Sequence, residues 1–169
     1  YKNNNTMKKY KVILLSGGFD PIHKGHVEFI NQAKELADEV WVGLNDDMWL
    51  KRKKGKAFMD EKERAFIISN IKNVDWVYIM NPSDKLDDTS IDFIEQSRLR
   101  YIKEHGSLPK GVMAFGNGGD RTEQNVPEKA FCGIYNIATV YQVGGGKVQS
   151  SSELIEKNRQ LLESPTSAN

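Results

Sequence analysis

GGFDPIHKGH, residues 17–26, decides how this chain is read. The apolar run Val12, Ile13, Leu14 and Leu15 precedes it, too short for a helix and stopped by Gly17 and Gly18, as in a parallel strand buried on both faces. After it, Val27, Phe29, Ile30, Ala33, Leu36 and Ala37 recur at helical spacing with charged residues between them. The decapeptide is therefore a strand-to-helix turn, the place where open α/β sheets bind ligands. Two adjacent glycines let backbone N–H groups approach an anion closely, and a helix start adds further donors and a positive dipole end. Phosphate chemistry is the natural expectation, with Gly17, Gly18, Phe19 and Asp20 lining the cradle and His23 and His26 facing each other across the helix start.

Outward from this turn, strand and helix patterns alternate. Strands are expected at 11–16, 39–44, 74–80, 112–115 and 138–143, and helices at 25–37, 60–71, 90–104 and 151–162, the second opened by the pair Asp60 and Glu63. Such alternation favours a parallel sheet covered on both faces. The expected fold is a single α/β domain with about five parallel strands, over residues 10–162, between a disordered leader or tag remnant at 1–9 and a flexible tail at 163–169. Residues 51–56 and 144–146 read as loops.

Composition narrows the function. With 24 Lys and Arg against 23 Asp and Glu the net charge is +1, so no bulk attraction to nucleic acid or anionic lipid is implied. No stretch approaches the roughly 18 apolar residues of a membrane span. A single cysteine, Cys132, excludes an intrachain disulfide, and its neighbours Phe131 and Gly133 suggest a buried thiol in a protein of the reducing cytoplasm. The histidine pair could serve zinc, but only Asp20 stands near as a third ligand and His105 lies in another helix, so a protein-held metal is not expected.

The residues GGFDPIHKGH resemble the HxGH signature of the nucleotidyltransferase superfamily, which includes cytidylyltransferases and pantetheine-phosphate adenylyltransferase. The resemblance implies a Rossmann-like fold of the HUP type, with a loose match from Tyr10 to Leu162. It further implies that His23 and His26 contact the α-phosphate of a nucleoside triphosphate. It implies as well that a lysine of the 51–56 run, Lys53 or Lys56, meets the triphosphate or the acceptor phosphate. By itself that basic run is as well read as solvated loop. Arg64 resembles the family's helix arginine, which binds phosphate; it reads equally as an exposed helix residue pairing with Asp60 or Glu61.

Ser150, Ser151 and Ser152, before Glu153, fit a helix cap and also the family's terminal hydroxyl cluster on the nucleotide phosphates. Some cytidylyltransferases carry an arginine just before that cluster, and residues 143–146 hold none. GNGGDR, residues 116–121, is a second glycine-rich strand end, with Gly116 bordering nucleoside or acceptor and Asp120 placed for ribose hydroxyls; it also reads as a turn with an aspartate cap for a helix starting near Glu123. GGDRTEQNVPE, residues 118–128, more weakly resembles members acting on sugar phosphates.

The resulting expectation is transfer of CMP or AMP from CTP or ATP to a sugar phosphate or polyol phosphate, with pyrophosphate released and Mg2+ carried by the nucleotide. Two alternatives stay open: a pantetheine-phosphate or nicotinate or nicotinamide mononucleotide adenylyltransferase, and a nucleotide-binding protein without turnover. A dinucleotide dehydrogenase is disfavoured, because the turn lacks GxGxxG spacing. The family also implies a homodimer, for which Trp49, Trp76 and residues 81–109 are candidate interface.

Overall fold

The computed structural model describes residues 7–119, 121–145 and 151–163, with the backbone alone at 151, 152 and 163. In chain order the elements are β1 (Tyr10–Gly17), α1 (Lys24–Leu36), β2 (Ala37–Leu44), α2 (Asp47–Lys54), α3 (Glu61–Ser69), β3 (Trp76–Ile79), α4 (Ile91–His105), β4 (Met113–Gly118), α5 (Lys129–Ile134), β5 (Ala138–Val143) and α6 (Ser151–Glu163). The strands form one sheet in the order β3-β2-β1-β4-β5. Every neighbouring pair is parallel. From β1 the chain runs outward through β2 to β3, then crosses back to build β4 and β5 on the other side. That reversal leaves a crevice beyond the carboxyl ends of β1 and β4, and the glycine turn issues from that end.

Both faces of the sheet are covered. Ile13, Leu15, Val40 and Val42 pack on one face against Ile30 and Ala33 of α1 and Ile68 of α3. Val12, Leu14, Trp41 and Met113 pack on the other against Phe93 and Ile94 of α4 and Cys132 of α5. Val12 to Leu15 are wholly buried, which explains the unbroken apolar run in a central strand; each such side chain contributes about 1.5–3 kcal/mol of burial. Gly43 lets α4 approach the sheet, and Gly116 makes room for a side chain of the neighbouring strand β1. A Cβ on Gly43 would lie 2.4 Å from Cγ of Phe93, and one on Gly116 would lie 2.9 Å from Cδ2 of Leu15.

The structure corrects the sequence reading in three places. Most of the basic run expected as loop is the last turn of α2, capped at its start by Asp46, whose side chain accepts from the Trp49 N–H, and ended by Gly55 at φ 84°. Strand β4 continues through Gly116 to Gly118, with an irregular register against β5 there. The helix expected near Glu123 begins at Lys129. Elsewhere Arg100 of α4 stacks over Trp41 and Trp76, 4.7 and 4.4 Å from the ring centres, and covers the outer end of the sheet. Cys132 is buried, and burial first, then the nearby Glu128 charge, pushes its thiol up to about 12.

Candidate active site

Two histidines build the start of α1. His23 has extended backbone, φ −146° and ψ 175°, and its Nδ1 accepts the Gly25 N–H at 3.1 Å. His26, three residues on, accepts the His23 N–H on its own Nδ1 at 3.2 Å. This is a reciprocal capping box made from imidazoles instead of serine and glutamate. Because both Nδ1 atoms accept, a neutral ring at either position carries its proton on Nε2, the nitrogen farther from the backbone. The rings stack with centres 3.8 Å apart and planes 21° from parallel, and Phe19 leans on His26 at 4.9 Å. No acidic residue lies in the first turn of α1, so the dipole end keeps its attraction for anions.

The glycines of the turn owe their identity to close approach. A Cβ on Gly17 would sit 3.2 Å from the Phe19 ring, and one on Gly18 would sit 3.1 Å from Leu50. Phe19 itself adopts φ 50° and is buried.

Beneath the turn lies a polar floor. Asp20, 3% exposed, accepts the N–H groups of Phe58 and Met59 at 2.6 and 2.8 Å, which pins the approach to α3. Arg64 is 1% exposed, so it is neither a surface residue nor paired with Asp60 or Glu61. Its Nε donates to Met59 O, Nη1 to the carbonyls of Gly18 and Asn45, and Nη2 to Asp47 at 2.9 Å. One guanidinium thus joins the turn, the end of β2 and the starts of α2 and α3. Its buried charge is compensated by one carboxylate and three carbonyl dipoles.

The remaining candidates are spread around this centre. Lys53 pairs with Asp88 at 2.5 Å, and Arg52 pairs with the same carboxylate and with the Lys85 carbonyl. Hydrogen bonds from Lys53 and then Arg52 hold the Asp88 carboxyl below the usual carboxylate range. Lys56 is exposed just past the end of α2. Gly116 is buried against Leu15 and Ile13 within the sheet. Asp120 and Ser150 lie outside the described residues, as do the side chains of Ser151 and Ser152, whose backbone opens α6.

Three features escaped the sequence reading. Ser16, last before the glycines, shares a 2.7 Å hydrogen bond with Ser90, whose N–H donates to buried Glu128 at 2.8 Å. Asn45 donates its N–H to Gly17 O at 3.0 Å and so forms a wall of the turn. Asn45 also lines a cleft with Trp49, Arg52, Met80, Lys85 and Asp87, and neither histidine of the pair is among its lining residues. Only Asn45 and Asp46, directly after the β2 pattern, carried a signal, as polar residues at a strand's carboxyl end. Among the described residues no group of three His, Cys, Asp or Glu side chains could hold a metal ion, and no helix is long and apolar enough to cross a membrane.

The chain is similar to several known proteins. A family model described as cytidylyltransferase-like matches residues 14–136, well over half of the chain. The chain is 38% identical over 92 residues to the bifunctional protein HldE of Helicobacter pylori, covering 53% of this chain and 19% of that protein. Against the bifunctional protein HldE of Geobacter metallireducens the identity is 33% over 106 residues, covering 61% and 21%. The chain thus spans about a fifth of the length of these curated relatives. In fold it is similar to the lipopolysaccharide core biosynthesis protein from Thermoplasma volcanium, with a TM-score of 0.53 at 23% identity, over 78% of this chain and 95% of that one.

Proposed function

The chain belongs to the cytidylyltransferase-like family and is a nucleotidyltransferase, and from that premise we propose that it transfers CMP or AMP from CTP or ATP to a sugar phosphate or polyol phosphate. An oxygen of the acceptor phosphate attacks the α-phosphorus, a new P–O bond forms, the α–β anhydride bond breaks and pyrophosphate leaves. The acceptor phosphate is already ionised, so no general base is required and the protein's work is positioning and charge stabilisation. The Nε2–H groups of His23 and His26 are the donors for the α-phosphate, held in place because each Nδ1 is committed to the backbone. Lys53 and Lys56 then meet the β- and γ-phosphates or the acceptor phosphate, which requires Lys53 to leave Asp88.

Asp20 and Arg64 keep the cradle of Gly17, Gly18 and Phe19 in shape from below. In this reading Gly116 borders the nucleoside or acceptor, Asp120 meets the ribose hydroxyls, and Ser150, Ser151 and Ser152 meet the nucleotide phosphates. A magnesium ion carried by the triphosphate supplies neutralisation of charge on the departing pyrophosphate.

The observation that supports this reading most is the imidazole capping box at the start of a helix without first-turn acids. Incubation with CTP or ATP, Mg2+ and a panel of phosphorylated acceptors, mononucleotides and phosphopantetheine included, should release pyrophosphate with a sugar or polyol phosphate. Absence of release with every pair, together with absence of CTP and ATP binding, rejects the proposal.

A further inference from the structure

Glu128 is only 5% exposed, although carboxylates are almost never buried without a compensating partner. Its partner is a backbone group: Oε1 accepts the Ser90 N–H at 2.8 Å, at the start of α4, where the helix dipole favours a negative charge. Ser90 stands just before the first turn of α4, the usual place for a hydroxyl that caps a helix, yet its side chain makes no cap hydrogen bond. The hydroxyl is turned instead to Ser16, with 2.7 Å between the two Oγ atoms. A carboxylate from outside the helix has taken a place at its start, and the Ser90 side chain is released for a contact elsewhere.

The three residues come from segments that meet at the carboxyl ends of the strands. Ser16 is the last residue before Gly17 and Gly18, Ser90 opens α4, and Glu128 closes the segment that leaves the glycine-rich end of β4 and leads into α5. Because β1 and β4 are neighbours, the chain of hydrogen bonds joins the two glycine-rich strand ends that flank the crevice. It also works on the opposite face of the sheet from Arg64. That guanidinium grips the Gly18 carbonyl from α3, whose Ile68 packs on one face, whereas Phe93 and Ile94 of α4 pack on the other. With Gly18 held from α3 and Ser16 held from α4, the turn between them is fixed from both sides.

We propose that Glu128 is a positioning residue for nucleotide binding: through the N–H and hydroxyl of Ser90 it sets Ser16, and with it the glycine cradle, in the register that receives the phosphates. The inference rests on the proposed transfer from CTP or ATP for what the cradle holds. Glu128 itself touches no substrate. Its part is geometric, so the place of its oxygen matters and its charge does not. A shift of about 1 Å in groups that position a substrate costs up to about 100-fold in rate, which leaves ample room for such a residue to be felt from a distance.

Two conservative variants separate place from charge. Glu128→Gln keeps an acceptor oxygen at the same reach, and Glu128→Asp keeps the charge but draws the oxygens back by one methylene. The whole chain is titrated calorimetrically with non-hydrolysable ATP and CTP analogues and Mg2+, well below the Tm of each variant, so that a role confined to stability leaves affinity unchanged. Glu128→Asp should bind about tenfold more weakly than the parent, and Glu128→Gln close to it. Ser90→Ala keeps its N–H for Glu128 and loses only the link to Ser16. It should show a similar loss, and joining it to Glu128→Asp should add little more, as for two changes in one connected network. Parent-like binding by Glu128→Asp, an equal loss in Glu128→Gln, or full additivity in the double variant overturns the proposal. Coupled losses of analogue affinity without pyrophosphate release from any acceptor uphold Glu128 while sinking the transfer reading. Release by the parent with additive losses sinks Glu128 alone, and a parent that binds neither analogue sinks both.

Discussion

Arg64 and Gly18 are joined across the floor of the glycine turn: Nη1 lies 2.9 Å from the Gly18 carbonyl oxygen and 2.6 Å from that of Asn45. A residue in the second turn of α3 thereby holds the phosphate cradle to the end of β2.

Arg64→Ala strands three carbonyls and leaves Asp47 without its partner, at a cost of about 3–5 kcal/mol. Denaturant titration measures it. Arg64→Lys keeps the charge but not the planar fork, and should recover only part of the loss. A change below about 1 kcal/mol for Arg64→Ala would show that the guanidinium does not carry the floor.

For the histidines, cap and chemistry can be separated. His23→Ala should lose about 1 kcal/mol of stability with the cap, and turnover by about 100-fold or more with the phosphate donor. His23→Asn restores a side-chain acceptor for Gly25 N–H, so Tm should return toward the parent value while kcat stays low. Recovery of both together would assign His23 a purely structural role.

Alkaline pH should weaken the fold through two groups. Burial first, then the charge and hydrogen bond of Asp92, raise Tyr78 to about 12 from 10.0; burial raises Cys132 to about 12 from 9.0. Both hold their protons more tightly folded than unfolded. Their stabilisation is complete below pH 9 and drains away as pH climbs to about 12. Melting curves across that window should fall, and Cys132→Val should fall less. In the same range a thiol reagent should label Cys132 only on unfolding.

Asp88→Asn frees Lys53 and Arg52 from a shared carboxylate at the surface. Tm should hardly move, because exposed ion pairs contribute little. Nucleotide affinity should rise at low ionic strength and converge with the parent's in high salt, where the freed cations are screened. Equal affinities at every salt concentration would place these cations outside the nucleotide's reach.

Gly43→Ala drives a methyl into Phe93, with about 1–3 kcal/mol of overpacking. Phe93→Leu in the same chain should recover part of the loss, as read by the denaturation midpoint. Additive losses in the double variant would mean that the two residues do not press on each other.

The sheet, its parallel sense and the turn at 17–26 were legible because periodicity and punctuation are local signals, and β1, β5 and α3 lie within a few residues of where these put them. Helix α2 was not, since five of the eight residues from 47 to 54 are charged and only Leu50 is buried. Its local marks were the Asp46 cap and the left-handed Gly55. The part played by Arg64 had no signature at all, because three of its partners are carbonyl oxygens, which every residue owns, brought in from separate segments. The link from Glu128 to Ser16 was hidden likewise, as it runs through the N–H and hydroxyl of Ser90 and exists only once the chain has closed.

Gly43 lies against Phe93 of α4 on one face of the sheet and Gly116 against Leu15 of the neighbouring strand on the other, so neither broad surface has room to be hollowed out. Novelty in this scaffold must accumulate along its rim. A descendant could acquire a different substrate by rewriting the loops at the carboxyl ends of the strands, without touching the beams underneath.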